Sequence, residues 1–489
     1  MGRHSTANGS PTPTNLTEDP PAAETTSPTF LDEPEGSLFP GVRWLTPRRL
    51  AFFLIFWATI FFAGSVFVNN PFAGSAHASN WGVGSGSPNY YWVVMYLHGL
   101  NTGLVGIAAL VACDFFELPS IHVRRGILAG VLIAGVLSPI GAVFNTSAPW
   151  MNAGLWIQVT AFVALDEIVI LFLWGMLTAW REGAPRSRTF PFITASLAGV
   201  VMLVAALMGH LAGVILGFGN NPPLLGQYAA QEMGLSLDAW AASLIGAHSY
   251  LMVTAVPAGI MALAAARFGY YRLAGATKLL AQVGFALVCI DLVVQTEMGL
   301  LLGFSSWPGN LPPQISALPG VPSFLALNDA SNFVFLVLGG ILLLSALVLG
   351  TGRPKGWTSH AVLPIRVLPL LMLVVFTVLT AVTEPTNGTA IGTPPQAWVR
   401  LFIAFYLTMM VVLVVFLAER LLGEGQSLRI GWTATVGSVT TFAGGLVYVS
   451  LGLNAGGYIA AAGVVIIGLS FVLTSWWGLS AGTRSSHGA

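Results

Sequence analysis

Residues 190–218 read FPFITASLAGVVMLVAALMGHLAGVILGF, an apolar run with no Asp, Glu, Lys or Arg and a single histidine, His210. At ~1.5 Å rise per residue, about 20 such residues cross the ~30 Å hydrocarbon core of a bilayer. A stretch that is apolar on every side is a membrane span and not an amphipathic surface helix. Similar runs, separated by short polar loops, recur along the whole chain. The protein is 55% hydrophobic and only 8% charged over 489 residues, too few charges to clothe a soluble protein of this length. The expected fold is therefore all-α: a polytopic integral membrane helical bundle.

About twelve spans are predicted, at roughly 50–68, 91–113, 126–144, 154–180, 190–218, 239–266, 276–302, 329–350, 363–382, 396–419, 431–452 and 457–478. The cations test this division. Arg43, Arg48 and Arg49 precede the first span. Arg124 and Arg125, then Arg181, Arg186 and Arg188, then Arg267, Arg272 and Lys278, fall in alternate loops. Arg353, Lys355 and Arg366, Arg420 and Arg429, and finally Arg484 continue the alternation. The intervening loops hold almost no Lys or Arg. Cytoplasmic loops carry the cations, so both termini are expected in the cytoplasm.

Residues 1–40, rich in Pro, Ser, Thr, Gly and acids, are expected to form a disordered cytoplasmic tail, ahead of a bundle over 41–480 and a short tail over 481–489. Scarce lysine beside abundant Arg, Ala, Val and Gly points to a high-GC bacterium, hence a bacterial plasma membrane. Two cysteines, Cys113 and Cys289, both in apolar runs, exclude a disulfide framework or a CxxCH haem attachment. No basic patch or aromatic platform points to nucleic acid. The lipid bilayer is the one expected partner, with a membrane redox or subunit partner as a further expectation.

Three histidines, His98, His210 and His248, each lie about eight residues from the outer end of a span, ~12 Å below one bilayer face. Polar side chains at such depth are costly and mark ion, proton or cofactor sites. Small residues flank them: Gly99, Gly103 and Gly106 beside His98, and Ala206, Gly213 and Gly217 on the face of His210. Ordinary helix packing, with each imidazole hydrogen-bonded to a neighbour, is the competing structural explanation. His4, His77, His122, His360 and His487 fall in tails, loops or interfaces and read as solvated. Acids lie deeper. Asp166 and Glu167 stand near the middle of the fourth span, and Asp291, Gln295 and Glu297 run along the seventh. Asp166, Glu167 and Glu297 are candidates for a proton relay toward the histidines. Arg400 breaks the charge rule at the outer start of the tenth span. It either snorkels to the headgroups or holds a carboxylate, that of Glu384 or of a cofactor.

Two chemistries suit imidazoles above buried acids. One is a haem or metal centre with His98, His210 and His248 as ligands. The other is a proton-coupled transporter that uses the same residues as its relay.

The stretch MYLHGLNTGLVGIAALVACDFFELP, residues 95–119, resembles the second helix of the haem-copper oxidase superfamily, above all the catalytic subunit of nitric oxide reductases. Residues 209–234 and 246–271 are similar to that family's helix–loop–helix with its paired-histidine segment. The resemblance implies that His98 is a low-spin haem b ligand and that Arg400 faces haem propionates. Adjacent copper-ligating histidines are absent, and Tyr250 stands where the second histidine of an H-x-H pair is expected. A divergent member with one haem or none is what the resemblance implies. The functional expectation is a membrane-embedded haem- or metal-binding oxidoreductase-like protein, with a proton-coupled permease as the alternative and a non-catalytic membrane subunit as a third reading.

Cysteines introduced singly test the orientation. Impermeant maleimide added from outside should label positions in 70–88 and 305–325, and none in 182–189 or 352–360. Labelling of 182–189 from outside reverses the topology and removes the shared depth of the histidines.

Overall fold

A computed structural model of the chain describes residues 121–145, 151–184, 186–217, 236–304, 331–350, 424–451 and 454–484, with individual positions in 49–56, 105–118, 227–234 and 411–422. The described residues are helical, with no strand among them. In chain order the helices are α1 (Ile121–Asn145), α2 (Met151–Arg181), α3 (Phe190–Gly217), α4 (Leu237–Arg267), α5 (Gly275–Phe304), a π-helical turn (Asn332–Val337) that runs into α6 (Leu338–Gly350), α7 (Glu424–Leu451) and α8 (Asn454–Arg484). They fall on the apolar runs that predict them. Five contain segments long and apolar enough to cross a membrane: Trp156–Arg181, Phe190–Ala212, Gly246–Arg267, Gly275–Phe304 and Ala455–Ser480. The tail over 1–40 and the expected span at 363–382 lie outside the described residues, as do most of those at 50–68, 91–113 and 396–419.

The chain is inverted relative to a water-soluble protein. On α2, Trp156, Val163, Ile170, Trp174 and Leu177 recur at helical spacing on one outward face, and Trp156 is 62% exposed. Exposure of this much contiguous apolar surface is stable only against lipid. The polar side chains turn inward: Gln158, Thr194, Thr254, Asp291 and Gln295 are all buried. Buried hydroxyls satisfy themselves on the preceding turn of their own helix, as in Thr441 Oγ1 to the Gly437 carbonyl (2.8 Å) and Thr474 Oγ1 to that of Ser470 (2.7 Å).

Lipid tails are as apolar as leucine, so helix association here depends on close packing. Glycines supply it. In the α1–α2 pair, a Cβ at Gly130 would stand 2.8 Å from Ile168 Cγ1, and one at Gly141 would meet the Gln158 backbone at 2.9 Å. Between α5 and α6, Gly284 and Gly339 face each other, each aimed at the other's carbonyl at 2.7 Å. The α7–α8 hairpin is joined by Gly437, Gly444 and Gly463, where added Cβ atoms would run into the opposing backbone.

On the cytoplasmic side of the expected topology, cations hold the turns. Arg186 Nη1 donates to the Phe115 carbonyl (2.7 Å) and Arg124 Nε to that of Leu118 (2.6 Å), placing positive charge where a helix ends. Between α4 and α5 the chain turns through Gly269, at φ 96°. That left-handed value favours glycine. Tyr270 beyond it is buried edge-on against Phe285, with Lys278 Nζ 3.6 Å over its ring. Burial, and then the neighbouring Tyr271, push its phenol up to about 12.

The glycine contacts give a direct test. Gly463→Val should destabilise the α7–α8 hairpin by about 1–3 kcal/mol or more, because its side chain meets Thr441 and the backbone, which have no free rotamer to yield. Unfolding of the purified protein in detergent measures it, and an unchanged midpoint contradicts the packing.

Candidate functional site

An imidazole–carboxylate contact joins α2 and α3. His210 Nδ1 lies 2.9 Å from Asp166 Oδ2, with the two side chains 32% and 16% exposed. Phe162, one turn before Asp166 on α2, lies beside the imidazole at 5.9 Å between ring centroids. Asp166 and Phe162 therefore hold the His210 ring from one helix face. The contact serves either arrangement of its proton: imidazolium beside carboxylate, or neutral imidazole beside carboxylic acid. Moving the proton along the hydrogen bond interconverts them without moving a helix. In a low-dielectric setting a single bare charge is expensive, and a pair that neutralises itself avoids that cost.

His248 is on α4, at the same level. Its Nδ1 donates to the Ala205 carbonyl at 2.7 Å. A carbonyl only accepts, so Nδ1 of His248 carries a proton in this contact. The ring lies flat on α3 at Gly209, where an added Cβ would be 2.8 Å from Nδ1 and 3.0 Å from Cε1. Gly209 is thus the reason that His248 can approach α3 next to His210. Of the three histidines expected at one level, His210 and His248 lie next to each other across α3 and α4, and His98 lies outside the described residues.

The other candidates are placed as follows. Glu167 and Glu297 lie on exposed faces of α2 and α5, turned away from the interior where the histidines stand. Asp166 alone of the Asp166–Glu167 pair reaches a histidine. His98, Arg400 and Glu384 lie outside the described residues. Among the described residues, no three His, Cys, Asp or Glu side chains converge on a metal position. Inward of the histidines, an apolar pocket of ≈ 100 Å³ opens between the 105–112 segment, α2, α3 and α4, lined by Ile168, Phe172, Met202 and Val256 among others. Its walls begin within one turn of Asp166.

A second polar group joins α4, α5 and the π-turn. Thr254 Oγ1 contacts Asn332 Oδ1 (3.2 Å), and Gln295 Nε2 donates to Ser331 Oγ (2.7 Å). Asp291 and Gln295 are visible in the sequence as polar breaks in a span. Thr254, Ser331 and Asn332 gave no signal there, because single hydroxyls and amides are common in apolar helices.

Comparison with protein-family models, with curated proteins and with solved structures gives no match for this chain.

Gly209→Ala should displace the His248 ring and lengthen its bond to Ala205. Carbethoxylation of His248, followed by peptide mass mapping, should speed up severalfold while the protein remains folded. An unaltered rate in the variant would mean that the ring is not held against Gly209.

Proposed function

We propose that this protein is a proton-coupled secondary transporter of the bacterial plasma membrane, with about twelve spans and both termini in the cytoplasm, and that His210 and Asp166 are its proton-carrying pair. The single observation that carries this reading is the 2.9 Å contact between an imidazole and a carboxylate on two apolar spans. Ionisable groups paired within a membrane bundle mark proton pathways. His248 stands at the same level on α4, its Nδ1–H held by the Ala205 carbonyl. The pocket beneath the pair is lined by apolar side chains, so in this reading protons cross toward the cytoplasm only in a conformation that wets it. That condition couples proton movement to a change in helix packing, as coupled transport requires.

A second reading has its own support. Metal- and haem-ligating histidines commonly donate their other ring N–H to a carboxylate or a backbone carbonyl. His210 sits beside Asp166, and His248 donates to Ala205. This is the arrangement expected of a haem b oxidoreductase-like protein distantly related to the haem-copper oxidases, in which a bound haem supplies one-electron chemistry. The His248 ring rests on the backbone of α3, the helix that carries His210, so a porphyrin has no room between those two. Only one of them would hold a given haem, together with His98, and Arg400 would face its propionates.

Infrared difference spectroscopy on protein reconstituted in liposomes distinguishes the readings when paired with an optical spectrum. In the transporter, a carboxyl band accompanies proton loading, is lost in Asp166→Asn and shifts in His210→Gln. The double variant behaves like Asp166→Asn alone, since the two residues act as a unit. A carboxyl spectrum unaffected by Asp166→Asn sinks the proton-carrier proposal. Reduced-state haem bands that disappear in a His98→Leu variant establish the second reading in its place.

A further inference from the structure

α5 holds a carboxylate that the His210–Asp166 pair does not use. Asp291 is fully buried, and neither of its oxygens has a hydrogen-bond partner of good geometry among the described residues. Its nearest polar neighbour is Gln295, one turn further on the same helix. An isolated buried carboxylate is among the costliest groups a membrane bundle can hold. Such a group is neutralised either by a proton or by a bound cation, and the described parts of α4, α5 and the π-turn place no Lys or Arg at this level. Arg267 and Lys278 stand at the inner ends of their helices, away from it.

Polar side chains of Thr254, Gln295, Ser331 and Asn332 join α4, α5 and the π-turn along the same crossing. The antiparallel register set by Gly284 against Gly339, and by Gln295 against Ser331, brings Asp291 opposite the π-turn Asn332–Val337. A π-turn spaces its carbonyls wider than an α-helix does, and such turns concentrate at functional sites. Asn332 opens that turn and meets Thr254 of α4, which is fully buried. Pro257, inside α4, has no N–H for the Val253 carbonyl, next to Thr254 in the chain. Interrupted helices that present side-chain and backbone oxygens around one acid are how membrane bundles coordinate small cations. The nearest other titratable groups on these elements are Tyr250 on α4, and Cys289 and the exposed Glu297 on α5. Cys289 is engaged with Thr194 of α3 at 3.3 Å.

We propose that Asp291, with the oxygens of Thr254, Gln295, Ser331 and Asn332, forms a buried binding site for a monovalent alkali cation of sodium size between α4, α5 and the π-turn. Charge decides the valence. One carboxylate neutralises one positive charge, and a divalent ion would leave a net charge in hydrocarbon. Chemistry decides the class. The ligand set is all oxygen, without the imidazole or thiolate that would select a transition metal. The site shares no residue with the His210–Asp166 pair and stands independently of the transport reading.

The full-length protein in detergent tests the site directly, by thermal unfolding and by binding of radioactive sodium, with NaCl compared against choline chloride at equal ionic strength. The wild type should gain stability saturably in NaCl only, because an ion that binds the folded state alone stabilises it. Asp291→Asn should abolish the sodium response, and Ser331→Ala should raise its midpoint roughly tenfold. Lowering the pH should raise the midpoint as protons compete for the carboxylate. His210→Gln should leave the response intact. Equal stability in the two salts overturns the proposal, as does a sodium response that survives Asp291→Asn. If Asp291→Asn does not fold, an unchanged midpoint in both Ser331→Ala and Thr254→Val overturns it instead.

Discussion

In hydrocarbon, every backbone N–H and C=O must find its partner inside the chain, and the rest of this structure follows from that constraint. It turns the apolar runs into helices that keep their own hydrogen bonds. It also removes the force that drives helices together in water, since leucine gains nothing by leaving lipid for leucine. What holds the bundle is contact at very short range. Gly284 and Gly339, or Gly437 and Gly463, let two backbones approach until a methyl group would not fit between them. Dispersion and weak Cα–H···O contacts then add up along the whole crossing.

Tight crossings also decide where polarity can survive. A side chain at such a crossing meets a fixed surface, so its partner is chosen by geometry. Gly209 gives His248 a flat place on α3, and the Ala205 carbonyl holds its Nδ1–H. Gly141 does the same for Gln158, which is buried against α1. The Asp166–His210 pair differs, because both side chains remain partly accessible. Packing is therefore strict around His248 and more permissive around His210.

The helices were legible in the sequence because a span needs only length and apolarity, both local properties. The bounds agree well: the run at 154–180 is α2 (Met151–Arg181), and that at 276–302 is α5 (Gly275–Phe304). The shared level of His210 and His248 was legible too, since depth follows from counting residues inward from a span's end. The pairing of His210 with Asp166 was not. Asp166 and Glu167 are adjacent in sequence but ~100° apart around the helix, and only the rotation of α2 against α3 decides which one faces inward. The same holds for Glu297, two residues from buried Gln295 and on the opposite side of α5. The π-turn at Asn332–Val337 left no trace in the pattern, because NFVFLV reads equally well as an α-helix.

The tryptophans of α2 set a further condition on this protein. Trp156 stands near one end of the helix, and Trp174 and Trp180 toward the other, all exposed. Indoles settle at the boundary between headgroups and acyl chains. From Trp156 to Trp180 the helix rises ~36 Å, longer than the ~30 Å of an average hydrocarbon core. In a thin bilayer α2 has to tilt to keep both ends at their boundaries. Asp166 is carried on α2 and His210 on α3, so tilt of one helix against the other changes the distance between them. Bilayer thickness thereby becomes a physical variable acting on the pair, and lipid composition a means of adjusting it.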